Sequence, residues 1–281
     1  MRAWGSIVIV TVEISDWMEI PAAMGESHVY AIGDVHGLSG HFEALLGAMA
    51  AKAAGGGELV LLGDLIDRGP DGVGVLRSAA RSAAELGFGT KTVVIGNHEI
   101  MMQMSMRPGP SQTRHLAHWS ANGGSAILHQ VGLTGPVTGI GGPIADRVIR
   151  DAIGPDAMAM IEEAASHREV GNLLFVHGGI DPAVPLSEWF ARPRLAVGTG
   201  DLHYAWIRSA FLFHQGPFEG NRLVVHGHSQ EHLVVKFKGY PPDRAHRLDG
   251  WRIGLDGGSY GTGRVVGGEF QTGRYRLFTA S

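Results

Sequence analysis

Between residues 28 and 100 the apolar positions fall into short runs, each followed by glycine, polar residues and a stretch of helical spacing. HVYAIGDVHG (28–37) precedes residues 39–54, where Phe42, Leu45, Leu46 and Met49 share one helical face and Ser39 stands at the N-cap position. ELVLLGDLIDRGP (58–70) precedes a helix expected to run from its cap, Asp71, to about Leu86. KTVVIGNHEI (91–100) leads into a third helix. Unbroken apolar runs bounded by glycine read as buried strands, and strands alternating with helices predict an α/β fold. In such sheets ligands collect beyond the carboxyl ends of strands, where all three polar clusters fall.

The pattern changes further along. Residues 105–170 predict a small helical cap: RPGPSQT (107–113) reads as a loop, SANGGSAILHQVG (120–132) as a turn with a short helix, and 155–167 as a helix facing inward through Met158, Ile161 and Ala165. The last third carries β signals. NLLFVHGGIDP (172–182) predicts a strand ending at His177, and NRLVVHGHSQEHLVVKF (221–237) two strands around a polar loop. WRIGLDGGSYGTGRVVGG (251–268) and GRYRLF (273–278) read as closing strands. The apolar run in SIVIVTVEISDW (6–17) is too short to span a membrane and makes a poor signal peptide, so residues 1–27 read as an extension or extra strand before a single domain, 28–281. A cytoplasmic protein is the expectation.

Composition narrows the chemistry. The chain has 281 residues, 44% of them hydrophobic, enough to bury a substantial core. A net charge of −4 gives no general attraction to nucleic acid or anionic membranes, and neither is expected as a partner. There is no cysteine, which excludes disulfides, thiolate metal sites and a cysteine nucleophile. Any metal must be held by His, Asp, Glu or Asn.

Those residue types stand at the predicted strand ends: Asp34 and His36, Asp64, Asn97, His177 and His228. Mixed oxygen and nitrogen ligands suit divalent Mn, Fe or Zn. Six ligands exceed the needs of one closed site, and with one bridging carboxylate they fit two ions about 3.5–4 Å apart. Each has a plainer reading: the aspartates as turn caps after glycine, Asn97 as an N-cap, the histidines as hydrogen-bonded core residues. What favours ligation is their joint arrival at five separate strand ends.

GDVHG (33–37), GDLIDRG (63–69), GNHE (96–99), HGG (177–179) and GHS (227–229), in that order, resemble the signature of the phosphoprotein phosphatase family within the calcineurin-like metallophosphoesterases. WSANGG (119–124), FVHGGIDPAVPL (175–186), WIRSAFL (206–212) and IGLDGGSYGTGRV (253–265) are similar to bacterial serine/threonine-type members, so the likeness covers roughly residues 28–278. It implies a central β-sandwich flanked by helices in four αββα layers. It also implies two divalent ions, manganese foremost, with iron, zinc or cobalt as alternatives. Asp34 and His36 would hold one ion, Asp64 would bridge, and Asn97, His177 and His228 would hold the second. His226 competes with His228, but the Gly-His order favours His228. A hydroxide bridging the ions would attack phosphorus in line. His98 would protonate the leaving oxygen, with Asp67 orienting it. Arg68 and Arg208 would grip the phosphoryl group, beside Asn97.

The implied activity is hydrolysis of phosphomonoesters on phosphoserine, phosphothreonine or phosphotyrosine proteins. One departure bears on it. Many family members carry Arg before GNHE, where this chain has Ile95. Dinucleoside tetraphosphate hydrolases of the same superfamily often have an apolar residue there, but usually lack the counterpart of Asp67. A non-catalytic scaffold would have lost a metal ligand, and none is missing. Met101, Met102, Met104 and Met106 read as core filling or as a soft substrate wall. His115, His118, His203 and His214 read as surface or core residues, Glu162 and Glu163 as a solvated face, and Glu99 as a support behind the ligands or a helix-start residue, not a ligand.

Overall fold

The computed structural model describes residues 9–239 and 246–281, and the start of the 6–17 stretch lies outside that range. Two sheets stack face to face. The strands are β1 (Val12–Ile14), β2 (Met18–Glu19), β3 (Val29–Ile32), β4 (Glu58–Leu61), β5 (Thr90–Val93), β6 (His167–Val170), β7 (Leu173–Val176), β8 (Leu223–His226), β9 (Arg252–Gly254), β10 (Val265–Gln271) and β11 (Arg274–Ala280). The first sheet runs β1-β11-β10-β3-β4-β5, with β2 also on β11, and the second runs β6-β7-β8-β9. Within them β3, β4 and β5 are parallel, as are β7, β8 and β9.

Strand side chains alternate between faces, and here both faces are covered. Val29, Ala31 and Val60 turn inward against Phe175, Val225 and Ile253 of the second sheet. Their neighbours Tyr30, Ile32, Leu59 and Leu61 turn outward onto Phe42, Leu45, Leu46 and Met49 of the helix Ser39–Ala53. On the far side Leu174, Val176 and Val224 meet Trp189 and Phe211. The result is four layers, αββα, as the family likeness implies. The helical cap follows between Asn97 and Glu163, and its helix Pro155–Glu163 buries Met158 and Ile161. Among the described residues no helix is long and apolar enough to cross a membrane.

Three local expectations are corrected. Ser39 does not cap its helix; Leu38 holds that position and no side chain caps it. The helix capped by Asp71 covers only Gly72–Ala79. Beyond it Ser82 and Glu85 close a local turn, and Lys91 takes the Ala79 carbonyl at 2.6 Å, so the chain leaves the helix early. Residues 231–238 form a helix rather than a strand. Val is a weak helix former, but here tertiary packing decides: one helical turn sets Val234 on the second sheet's outer core and Leu233 at a cleft.

Candidate metal centre and active site

Parallel strands point their carboxyl ends the same way, so the turns after β3, β4, β5, β7, β8 and β9 converge at one end of the sandwich. The sheets close tightly there: a Cβ on Gly33 would lie 2.1 Å from the Leu255 carbonyl oxygen, so only glycine fits. His36, Asp64, Asp67, Arg68 and His228 all have positive φ, between 45° and 71°. Such backbone costs free energy for residues with a Cβ and concentrates where side chains must be aimed at a site.

Two triads form. His36, Asp64 and His98 offer atoms within 4.8 Å of one another, as do Asp64, His177 and His228, and all are buried. Asp64 belongs to both. Its Oδ2 lies 3.8 Å from Nε2 of His36 and of His98, and its Oδ1 lies 3.3 Å from His177 Nε2. Asn97 Oδ1 is 3.0 Å from the same His177 nitrogen. Asp34 Oδ2 lies 3.9 Å from His36 Nε2, and Asp34 also accepts the His228 backbone N–H at 2.9 Å, tying the first sheet to the second.

Backbone carbonyls decide which imidazole nitrogens stay free. His36 Nδ1–H donates to Ile66 O at 2.9 Å and His177 Nδ1–H to Leu62 O at 2.7 Å, leaving Nε2 of each as the inward lone pair. His228 is reversed: Nε2–H donates to Trp206 O at 3.1 Å and Nδ1 is free. Metal-ligating histidines are typically oriented in this way by a partner on the other nitrogen. Acceptor atoms of Asp64, Asn97 and His177 thus crowd together and favour a cation among them, so the donor set fits divalent metal.

The electrostatics agree. Burial raises Asp34 well above the usual carboxylate range, and the charges of Asp256 and Asp64 add to this. Burial works against an ionised Asp64 too, but His177 and His98 overcome it and hold it well below its usual value. Burial would lower His177, yet Asp64 above all raises it to about 9, a demand for positive charge at that imidazole. Burial, helped by His98, drives His36 down to about 3, which keeps its lone pair available. Burial and Arg208 likewise lower His228.

Beside the triads stands a second pair. His98 Nδ1 lies 2.6 Å from Asp67 Oδ2, both fully enclosed. Burial opposes charge on His98, but Asp64 and Asp67 outweigh it and raise its pKa. Glu99, in the first turn of the helix Asn97–Met106, braces the turn after β4, accepting N–H bonds from Asp64 at 2.9 Å and Leu65 at 2.8 Å; burial lifts it to about 7. Asn97 is the first residue of that helix rather than its cap, which is Gly96.

Asp34, Asp64, Asn97, His98 and His228 line a cleft of about 460 Å³, with His36, Asp67, Glu99 and His177 enclosed behind them. Arg68 and Arg208 reach it from opposite halves. Arg68 donates to His36 Nε2 at 2.9 Å, and its guanidinium lies 4.5 Å from the Tyr260 ring centre. Arg208 donates to the His228 carbonyl at 3.0 Å, while its Nε is buried without a partner. Ile95 points elsewhere, into the second sheet's outer core. His226 is enclosed, bonded to Gly227 O and packed on Phe211, outside both triads. Met101 lines both core and cleft, whereas Met102 and Met106 fill core only. His118 is exposed on the cleft wall and His203 is buried.

Four residues were not singled out in the sequence. Trp119 Nε1–H donates to Asp67 Oδ2 at 2.8 Å across 52 positions of chain. Tyr260 faces Arg68, Trp206 orients His228 through its carbonyl, and buried Asp256 acts on the Asp34 carboxyl through its charge. The stretches WSANGG, WIRSAFL and LDGGSYG mark their neighbourhoods, but no spacing rule connects them to their partners.

Comparison with known proteins bears on the whole arrangement. The family model described as calcineurin-like phosphoesterase matches residues 27–238. A symmetrical bis(5'-nucleosyl)-tetraphosphatase of Nitrosomonas europaea is 36% identical over 86 residues, 31% of this chain and only 30% of that relative's length. Among solved structures, a candidate diadenosine tetraphosphatase superposes with a TM-score of 0.52 at 20% identity, covering 90% of this chain and 93% of the other. A cold-active protein-tyrosine phosphatase of a psychrophilic Shewanella species gives 0.50 at 16% identity, with 89% and 80% covered. At these identities the superpositions speak to fold.

Proposed function

The chain belongs to the calcineurin-like phosphoesterase family and is a hydrolase acting on phosphate esters; we propose that it is a metal-dependent phosphomonoesterase whose substrates are phosphorylated proteins or peptides. The observation that carries this reading is the enclosed Asp67–His98 pair, 2.6 Å apart, beside two triads that share Asp64. A pair of that kind serves a poor leaving group, such as the alkoxide of serine or threonine, which must be protonated as it departs.

In this reading Asp34, His36 and Asp64 hold one ion, and Asp64, Asn97, His177 and His228 hold the other. Two bound divalent ions supply an acidified water and screen the phosphoryl charge. The remaining work falls to the chain. Arg68 and Arg208 flank the phosphoryl oxygens from opposite walls, with Asn97 beside them. His98, protonated and turned by Asp67, gives its Nε2 proton to the leaving oxygen as the phosphorus–oxygen bond breaks. The carbonyls of Ile66, Leu62 and Trp206 keep three imidazoles from rotating.

A second reading, hydrolysis of a dinucleoside tetraphosphate, is favoured by the 86-residue match to the Nitrosomonas protein and by apolar Ile95. Rates on phosphoserine, phosphothreonine and phosphotyrosine peptides and on diadenosine tetraphosphate, with manganese supplied, separate the two. Peptide turnover that EDTA abolishes is expected; turnover of the dinucleotide alone reverses the ranking. Within the first reading, His98→Asn should slow a phosphoserine peptide about 100-fold but p-nitrophenyl phosphate far less. Equal losses on both would remove His98 from the acid role.

A further inference from the structure

Asp67 receives two donors on one oxygen. His98 Nδ1 lies 2.6 Å from Oδ2, and Trp119 Nε1–H reaches the same atom at 2.8 Å. The other oxygen, Oδ1, is buried and has no partner. A carboxylate free to turn would share two donors between two oxygens, because a buried acceptor left unpaired is costly. Here the carboxylate is held with both donors on one side, and His98 alone cannot enforce that, since either oxygen would serve it equally well.

Trp119 is delivered by an unusual stretch of backbone. It ends the helix Gln112–Trp119, and the next five residues, Ser120–Gly124, carry the chain into the helix Ser125–Gln130 through a kink at Gly123, whose φ is 114°. Glycine adopts such a φ without steric cost, so the chain can change direction there. Gly123 turns its carbonyl onto the Arg68 N–H at 3.1 Å. Gly124 must be glycine, because a Cβ there would meet the Trp119 ring at 2.5 Å. One segment, WSANGG, therefore grips two consecutive residues of the turn after β4: the side chain of Asp67 and the backbone of Arg68. Trp119 itself has no exposed surface.

We propose that Trp119 is a positioning residue for leaving-group protonation. Its indole N–H fixes the Asp67 carboxylate, which in turn holds the His98 ring with Nε2 toward the reacting phosphoryl group, 3.8 Å from Asp64 Oδ2. The proposal rests on the phosphomonoesterase reading above. It differs from a packing role because only the indole N–H, and not the ring, carries the effect.

Trp119→Phe keeps a ring and removes the donor. The expected result is a loss of about 10-fold in kcat on a phosphoserine peptide, the scale of one hydrogen bond to a charged group, with KM unchanged. On p-nitrophenyl phosphate, whose leaving group scarcely needs a proton, kcat should stay within about 2-fold. In an Asp67→Ala background, which removes the acceptor, the same substitution should add nothing on either substrate. Equal losses on both substrates, no loss on either, or full multiplication of the two single effects would overturn the proposal. Should Trp119→Phe fail to fold, the indole proton of the wild-type protein decides. It should exchange slowly with solvent and shift in Asp67→Ala, and a resonance indifferent to that change would refute the bond. If the wild type turns over neither substrate, the phosphomonoesterase reading falls, while the indole measurement still reports on the Trp119–Asp67 contact by itself.

Discussion

One triad of this site is made within a single sheet and the other between two. His36, Asp64 and His98 all follow strands of the first sheet, β3, β4 and β5. Asp64, His177 and His228 combine that sheet with β7 and β8 of the second. The first can be placed by neighbouring parallel strands whose register fixes the spacing of their ends. The second needs the two sheets stacked at the right distance, a matter of core packing and of the close approach at Gly33. Asp64 is the hinge of the comparison because it serves both.

The largest expected effect comes from breaking both triads at once. Asp64→Asn should abolish retention of a second ion, weaken the first, and cut turnover by at least about 100-fold, beyond what loss of an outer partner costs. Metal analysis after dialysis against manganese checks it, and two ions held at unchanged affinity would dissolve the shared role. His177→Ala should affect only the triad between sheets, leaving about one ion per chain. If it empties both sites equally, the two triads are not separable.

A smaller effect should distinguish the arginines. Arg68 comes from the first sheet's side and Arg208 from the second's, so they approach the phosphoryl group independently. Each change to Ala should raise KM about 10-fold, and the two should multiply in the double variant. A double variant no worse than either single one would mean that they act as one clamp.

The smallest concerns stability away from the metal residues. His203 donates Nε2–H to Pro193 O at 3.1 Å while its Nδ1 accepts the Ala205 N–H at 3.1 Å, an arrangement only the neutral ring can make. Burial depresses its pKa to about 4, from 6.5. The unfolded chain therefore binds the proton first. The contribution is fully present above about pH 6.5 and is lost as pH falls toward 4, amounting to no more than about 3 kcal/mol. Denaturant unfolding at pH 7 and pH 5 should show a steeper loss in the wild type than in His203→Gln. Parallel losses would assign the pH dependence to other groups.

Much of this was legible because it is local. Glycine after an apolar run, followed by Asp, Asn or His, marks a strand end: β3, β4 and β8 end within one residue of that glycine, β5 stops earlier, at Val93, and β7 runs straight into His177. Unbroken apolar runs located the buried strands, and helical spacing located the inward face of the helix Ser39–Ala53. Where local preference met tertiary demand, the reading failed. Leu233 and Val234 belong to a helix because the cleft and the outer core need them on one turn.

The sequence by itself determined the alternation of strands and helices over residues 28–100 and the set of side chains able to hold metal, because both depend on residue type and short-range spacing; the pairing of His98 with Asp67 was implied by the likeness of the motif set to a known family. Tertiary structure alone decided which nitrogen of each histidine faces inward, that Asp64 belongs to both triads, that Ile95 turns into the core, and that Trp119 reaches Asp67. Those facts depend on carbonyls, strained backbone and a kink at Gly123 that meet across long stretches of chain. No short-range pattern carries that information, because the groups become neighbours only when the two sheets and the helical cap are packed together.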